Sequence, residues 1–62
     1  MHVIQDAFQI MLDKAIEITV DDYVNMKLLF ISQSSADENG VYWTLWEDTQ
    51  TETMYKIKTY TL

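Results

Sequence analysis

Apolar residues recur at helical spacing over the first part of the chain. Ile4, Ala7, Phe8, Met11, Leu12, Ala15 and Ile18 fall within one arc when placed at about 100° per residue, while Gln5, Asp6, Gln9, Asp13 and Glu17 occupy the opposite arc. The pattern predicts an amphipathic helix over 3–17, leaving through the β-branched cluster Ile18-Thr19-Val20 and the pair Asp21-Asp22. From Tyr23 onward the period shortens towards two, and three segments rich in β-branched or aromatic residues read as strands: about 24–33, 41–47 and 53–61. The run Leu28-Leu29-Phe30-Ile31 is also compatible with a buried helix, which leaves 20–31 open between strand and second helix. Asn39-Gly40, containing the chain's one glycine, favours left-handed backbone and marks the first turn. The polar stretch Asp48 to Glu52 marks the second. The expected fold class is α+β: an N-terminal amphipathic helix packed on a three-stranded antiparallel β-meander, in a single domain over 1–62 that is expected to dimerise.

Cross-strand chemistry suggests a register. Placing Lys27 opposite Glu47, Leu29 opposite Leu45, Ile31 opposite Trp43, Leu45 opposite Tyr55 and Trp43 opposite Ile57 gives compatible neighbours throughout. One face then carries Leu29, Ile31, Val41, Trp43, Leu45, Tyr55 and Ile57, the expected core beneath the helix. The other carries Val24, Met26, Leu28, Phe30, Tyr42, Trp46, Met54 and Tyr60, with Lys56 and Lys58 among them. That second face is too apolar for water, and one helix cannot cover both. A different register, a second helix over 20–31, a symmetric homodimer or a heterologous partner would each account for it. Met26, Phe30, Tyr42, Trp46, Met54 and Tyr60 are the expected partner-binding or dimer face.

Composition adds a reason to expect a partner. Ordering 62 residues at about 1.5 kcal/mol each costs about 93 kcal/mol, which at about 25 cal/mol per Å² requires about 3,700 Å² of apolar burial. Surface scaling for a chain of this size supplies about 3,800 Å², so the balance is near zero. Cysteine is absent, so neither a disulfide nor a thiolate metal site adds stability.

Charge narrows the functional classes. Ten acids against four lysines and no arginine give a net charge of −6, which lacks the positive field and forked donors that phosphate backbones recruit; direct nucleic-acid binding is not expected. The longest unbroken apolar run is Leu28 to Ile31, against about 20 residues for a membrane span. No lysine or arginine precedes Lys14, unlike a secretory signal, so a cytoplasmic setting is expected.

On a continuous helix, Asp6, Asp13 and Glu17 would form a stripe that Asp21 and Asp22 prolong, with Asp13 and Glu17 about 6 Å apart along the axis and Asp6 about 10 Å further back. Carboxylates so spaced on a rod could imitate a phosphate line and steer towards a basic protein, or could simply solvate the helix. The stripe beside a surplus apolar face leads to the expectation of a small acidic regulator or inhibitor, of the phage or mobile-element type, that binds a basic protein partner, a nucleic-acid-processing protein being one such partner. The competing expectation is a homo-oligomeric accessory subunit whose acids serve solubility.

Catalysis is not expected. His2 is the one side chain that ordinarily titrates near neutrality, and it neighbours the chain start. Ser32, Ser34 and Ser35 have no evident base, and Asp37-Glu38-Asn39-Gly40 resembles the opening of a calcium loop without its closing glutamate. No cofactor and no metal are expected.

Overall fold

The structure is a computed structural model that describes residues 7–61. The predicted helix is present from Ala7 to Lys14 as α1, with Lys14 in the last turn, where a cation suits the helix dipole. Residues 3–6 of the prediction lie outside the described residues. At its other end the helix is shorter than expected, because Ile16-Glu17 leave the helical path to form strand β1. Ile16, Ile18, Thr19 and Val20 are all β-branched and gain little from helix, whereas a strand here finds backbone partners along the final strand. The chain then turns into a single helical turn, α2 (Val20–Tyr23), opened by a reciprocal capping box: Thr19 Oγ1 accepts from the Asp22 amide at 3.2 Å, and the Thr19 amide donates to Asp22 Oδ2 at 3.2 Å. Helical hydrogen bonding runs on through Met26, whose amide donates to Tyr23 O at 2.9 Å. Residues 20–31 are thus divided: the helical turn comes first, and strand β2 begins at Leu29 and ends at Gln33, not at 24 as the pattern suggested.

Strands β3 (Val41–Asp48) and β4 (Thr53–Tyr60) follow the predicted segments closely. Asn39-Gly40 turns as expected, with Gly40 at φ +78°. Asp37 Oδ1 accepts from the amides of Asn39 and Val41 at 2.8 and 2.9 Å, so the segment that resembled a calcium loop uses that carboxylate oxygen to close its own turn. The sheet has four strands in the order β1-β4-β3-β2, mixed because β1 lies parallel to β4. It replaces the expected three-stranded antiparallel meander, to which β2, β3 and β4 alone would have amounted.

The register also differs from expectation, by one residue between β3 and β4. Leu45 lies opposite Lys56 rather than Tyr55, and Trp43 opposite Lys58 rather than Ile57. The turn decides this. Asp48 pairs with Thr53, leaving a four-residue connection in which Asp48 Oδ1 accepts from the Gln50 amide at 3.0 Å and Glu52 takes a left-handed φ of 58°. Between β2 and β3, Leu29 lies opposite Glu47 rather than Leu45, and Ile31 is the extra residue of a bulge before Ser32 meets Leu45. Because side chains alternate along a strand, a slip of one residue sends the whole of β4 to the other face.

Trp43, Leu45, Met54, Lys56 and Lys58 therefore share one face, under α1. There Leu12, Ala15 and Leu45 are buried, with Phe8, Trp43 and Met54 packed around them. Ile57 is buried on the reverse side, separated from that cluster by the sheet itself. The chain is only 14 Å across the Cα atoms in its thinnest direction, a plate with a small core under one helix. Among the described residues, no helix is long and apolar enough to cross a membrane.

Candidate functional site

The face away from α1 is organised around Trp46. Three successive ladder pairings place Ile16 beside Tyr55, Tyr55 beside Trp46 and Trp46 beside Phe30, which forms one row of apolar and aromatic side chains across all four strands. The centre of the row is fixed. Trp46 Nε1–H donates to Thr44 Oγ1 at 2.9 Å, and the Thr44 hydroxyl donates to Ile57 O at 3.4 Å. The Tyr23 ring, delivered by α2, lies 4.7 Å from the Trp46 ring between centroids, and Phe30 meets Trp46 edge-on at 5.3 Å. The ends of the row remain open: Ile16 is 54% and Phe30 47% exposed, and Val20 at the start of α2 and Val24, its C-cap, are 61% and 69% exposed.

Of the residues expected to form a partner face, Phe30, Tyr42 and Trp46 do lie together on this side. Met54 and Tyr60 do not, because the register slip places them opposite Glu47 and Val41 on the α1 face, where Met54 packs against the core. Met26 is half-buried in the turn after α2 and belongs to no strand. Lys56 and Lys58, expected among the apolar residues, move away with them: Lys56 Nζ sits 5.2 Å over the Trp43 ring and Lys58 Nζ 5.6 Å over the Tyr60 ring. Among the described sheet residues on the Trp46 face, Asp48 is the one charged side chain. Asp21 and Asp22 immediately precede Tyr23 on α2. The apolar row thus shares its sheet face with one acid, and the two lysines of the sheet lie on the far side together with Glu17 and Glu47.

The acidic stripe is not a rod. Asp6 lies outside the described residues, Asp13 is on α1 and hydrogen-bonded by Gln9 Nε2 at 2.9 Å, and Glu17 is on β1 beside Lys56. Asp21 and Asp22 open α2, and Asp22 is engaged in its capping box. The helix on which the stripe depended ends at Lys14, so these carboxylates have no common axis.

Periodicity alone does not single out Ile16, Tyr23 or Tyr55 as neighbours of Trp46. The β-branched density around Ile16 was the available signal for β1. Tyr23 offers none, because its position follows from where the capping box starts the turn.

On the opposite side, an open groove of about 380 Å³ lies between α1 and the β2–β3 loop, lined among others by Asp13, Asp37, Trp43 and Lys56. Ser34 Oγ accepts there from the Trp43 amide at 2.8 Å, which makes the serine a clamp on the loop. Among the described residues, no three histidine, aspartate or glutamate side chains gather as a metal site. No protein-family model, curated protein or solved structure matches the chain.

Proposed function

We propose that this chain is a non-enzymatic protein–protein interaction module, a small acidic regulator that binds a basic protein through its Trp46 face. The observation that carries this reading is the apolar row Ile16, Tyr55, Trp46 and Phe30 on a sheet face whose one charged side chain among the described residues is Asp48, while Lys56 and Lys58 lie on the other side with Glu17 and Glu47. A half-exposed aromatic centre with a rigid hydrogen-bonded indole suits a binding anchor. Asp48 on this face, in a chain of net charge −6, favours a partner whose rim is positive and speeds its approach at low salt. A second copy suits this face poorly, since it would bring like charges together. The scattered carboxylates support attraction to a basic surface and do not supply the regular line that imitation of a phosphate backbone requires.

The test compares immobilised wild type with Ile16→Asp and Val24→Asp, both at exposed positions, after circular dichroism has shown each to be folded. From a bacterial lysate, wild type should retain a defined basic protein at low salt, less of it at high salt, and the variants should lose it. Equal retention by wild type and variants, or no basic protein retained at either salt, overturns the reading.

A further inference from the structure

The sheet has one edge fit for pairing. At one side β1 is two residues long, too short to template another strand, and the rest of β4's outer flank, which β1 leaves without a partner strand among the described residues, is blunted by Lys58. At the other side β2 has β3 on its inner flank and, among the described residues, no strand on its outer flank. Four of its five residues are exposed, Leu29, Phe30 and Ile31 among them. Natural edges are usually blunted by a lysine, a proline or a bulge; Leu29-Phe30-Ile31-Ser32-Gln33 has neither of the first two, and only the bulge at Ile31.

We infer that β2 pairs with β2 of a second copy, antiparallel about a two-fold axis, joining two four-stranded sheets into one of eight strands. A single competent edge makes the assembly closed: pairing uses it up in both copies, whereas two such edges would propagate an open array. Charge permits the approach. The strand carries no charged side chain, although the chain carries −6, and its flanks are of opposite sign, Lys27 before it and Asp37 after it. With Ile31 on the axis, Lys27 lies opposite the partner's Ser35, about 7 Å along the strand from the partner's Asp37. The same geometry keeps both Trp46 faces on one side of the joined sheet, so the inference does not depend on what binds there.

Five residues of edge pairing bury less than a standard interface, so the dimer is weak and concentration-dependent. Sedimentation of the full chain from about 1 μM to about 1 mM should show monomer passing to dimer and no larger species. Ile31→Lys, at an exposed site, places two ammonium groups at the axis and should weaken association at least tenfold, whereas Ile16→Asp, on the Trp46 face at the far edge, should leave it unchanged. Hydrogen exchange gives a readout independent of the variants: β2 amides should gain protection as concentration rises. A monomer throughout the range, association equal in Ile31→Lys and wild type, or growth into open polymers overturns the inference. So does a dimer lost in Ile16→Asp and kept in Ile31→Lys.

Discussion

Trp46 and Thr44, two residues apart on β3, are joined side chain to side chain: the indole Nε1–H donates to Thr44 Oγ1 at 2.9 Å, and the hydroxyl in turn donates to Ile57 O at 3.4 Å. Alternation along a strand puts both side chains on the face away from α1, so the bond sets the angle at which the largest ring of that face stands. Thr44→Val keeps the β-branched shape and removes the acceptor. Trp46 is only half-buried and its N–H can turn to water, so the loss should be about 0.5–1.5 kcal/mol in urea unfolding. Circular dichroism should be unchanged; a loss several times larger would show that the hydroxyl holds more than the indole.

Where the sequence pattern succeeded and where it failed have the same origin. Segments 41–47 and 53–61 were legible because Trp43 and Leu45 alternate with Tyr42 and Thr44 for long enough to rule out a helical period. Asn39-Gly40 was legible because only glycine takes φ +78° without strain. Ile16-Glu17 was not, since two residues cannot display a period and only their pairing with Tyr55 and Lys56 makes them a strand. The register failed at Leu45, for which Tyr55 is the better-matched neighbour by local chemistry, but the turn ending at Glu52 imposes Lys56. Half of the candidate site, Phe30, Tyr42 and Trp46, was therefore visible, and the half that β4, β1 and α2 supply was not.

At Gly40, a Cβ would lie 2.5 Å from Thr61 Oγ1, in addition to the strain of the positive φ. Gly40→Ala should destabilise by about 1–2 kcal/mol from conformation alone, and by more until Thr61 moves. Adding Thr61→Ala removes the side-chain clash and the hydroxyl's 3.1 Å bond to Gly40 O. The double variant should recover part of the stability of Gly40→Ala and remain below wild type. Full recovery in thermal unfolding would mean that the turn does not need its left-handed residue.

Glu52 is the reverse case, an exposed non-glycine residue at φ 58°. Replacing it with glycine relieves the crowding of Cβ while raising the entropy of the unfolded chain, and the first effect is the larger at a left-handed position. Glu52→Gly should raise stability by about 0.5–1 kcal/mol, seen as a higher urea midpoint at unchanged slope. Glu52→Val should lower the midpoint.

The Thr19 cap supports Tyr23 and, through it, Trp46. A helix of one turn has few internal hydrogen bonds, so α2 depends on the reciprocal bonds between Thr19 and Asp22. Thr19→Ala should lower stability by about 0.5–2 kcal/mol, and Thr19→Ser should restore most of it. The diagnostic measurement is local: in Thr19→Ala the Tyr23 and Val24 amides should exchange faster with solvent while amides at the centre of β3 stay protected. Uniform loss of protection would place the cap in the global core instead.

Leu45 tests how little holds the plate together. It is 0% exposed, the one side chain fully enclosed among the described residues, and it packs with Leu12 and Ala15. Leu45→Ala should cost about 2–5 kcal/mol, against about 3–9 kcal/mol for the total stability of a domain of this length. The variant should therefore lose about half of its stability and unfold at a much lower urea midpoint than wild type. Ile57→Ala removes a residue 5% exposed on the other face and leaves the α1 cluster intact, so it should loosen the Trp46 side while α1 stays docked. Methyl or indole NMR can follow the two faces separately: Trp43 reports on the first and Trp46 on the second. If Ile57→Ala shifts Trp43 as strongly as Trp46, the two faces fold as one core, and the separation of the buried residues by the sheet has no energetic meaning.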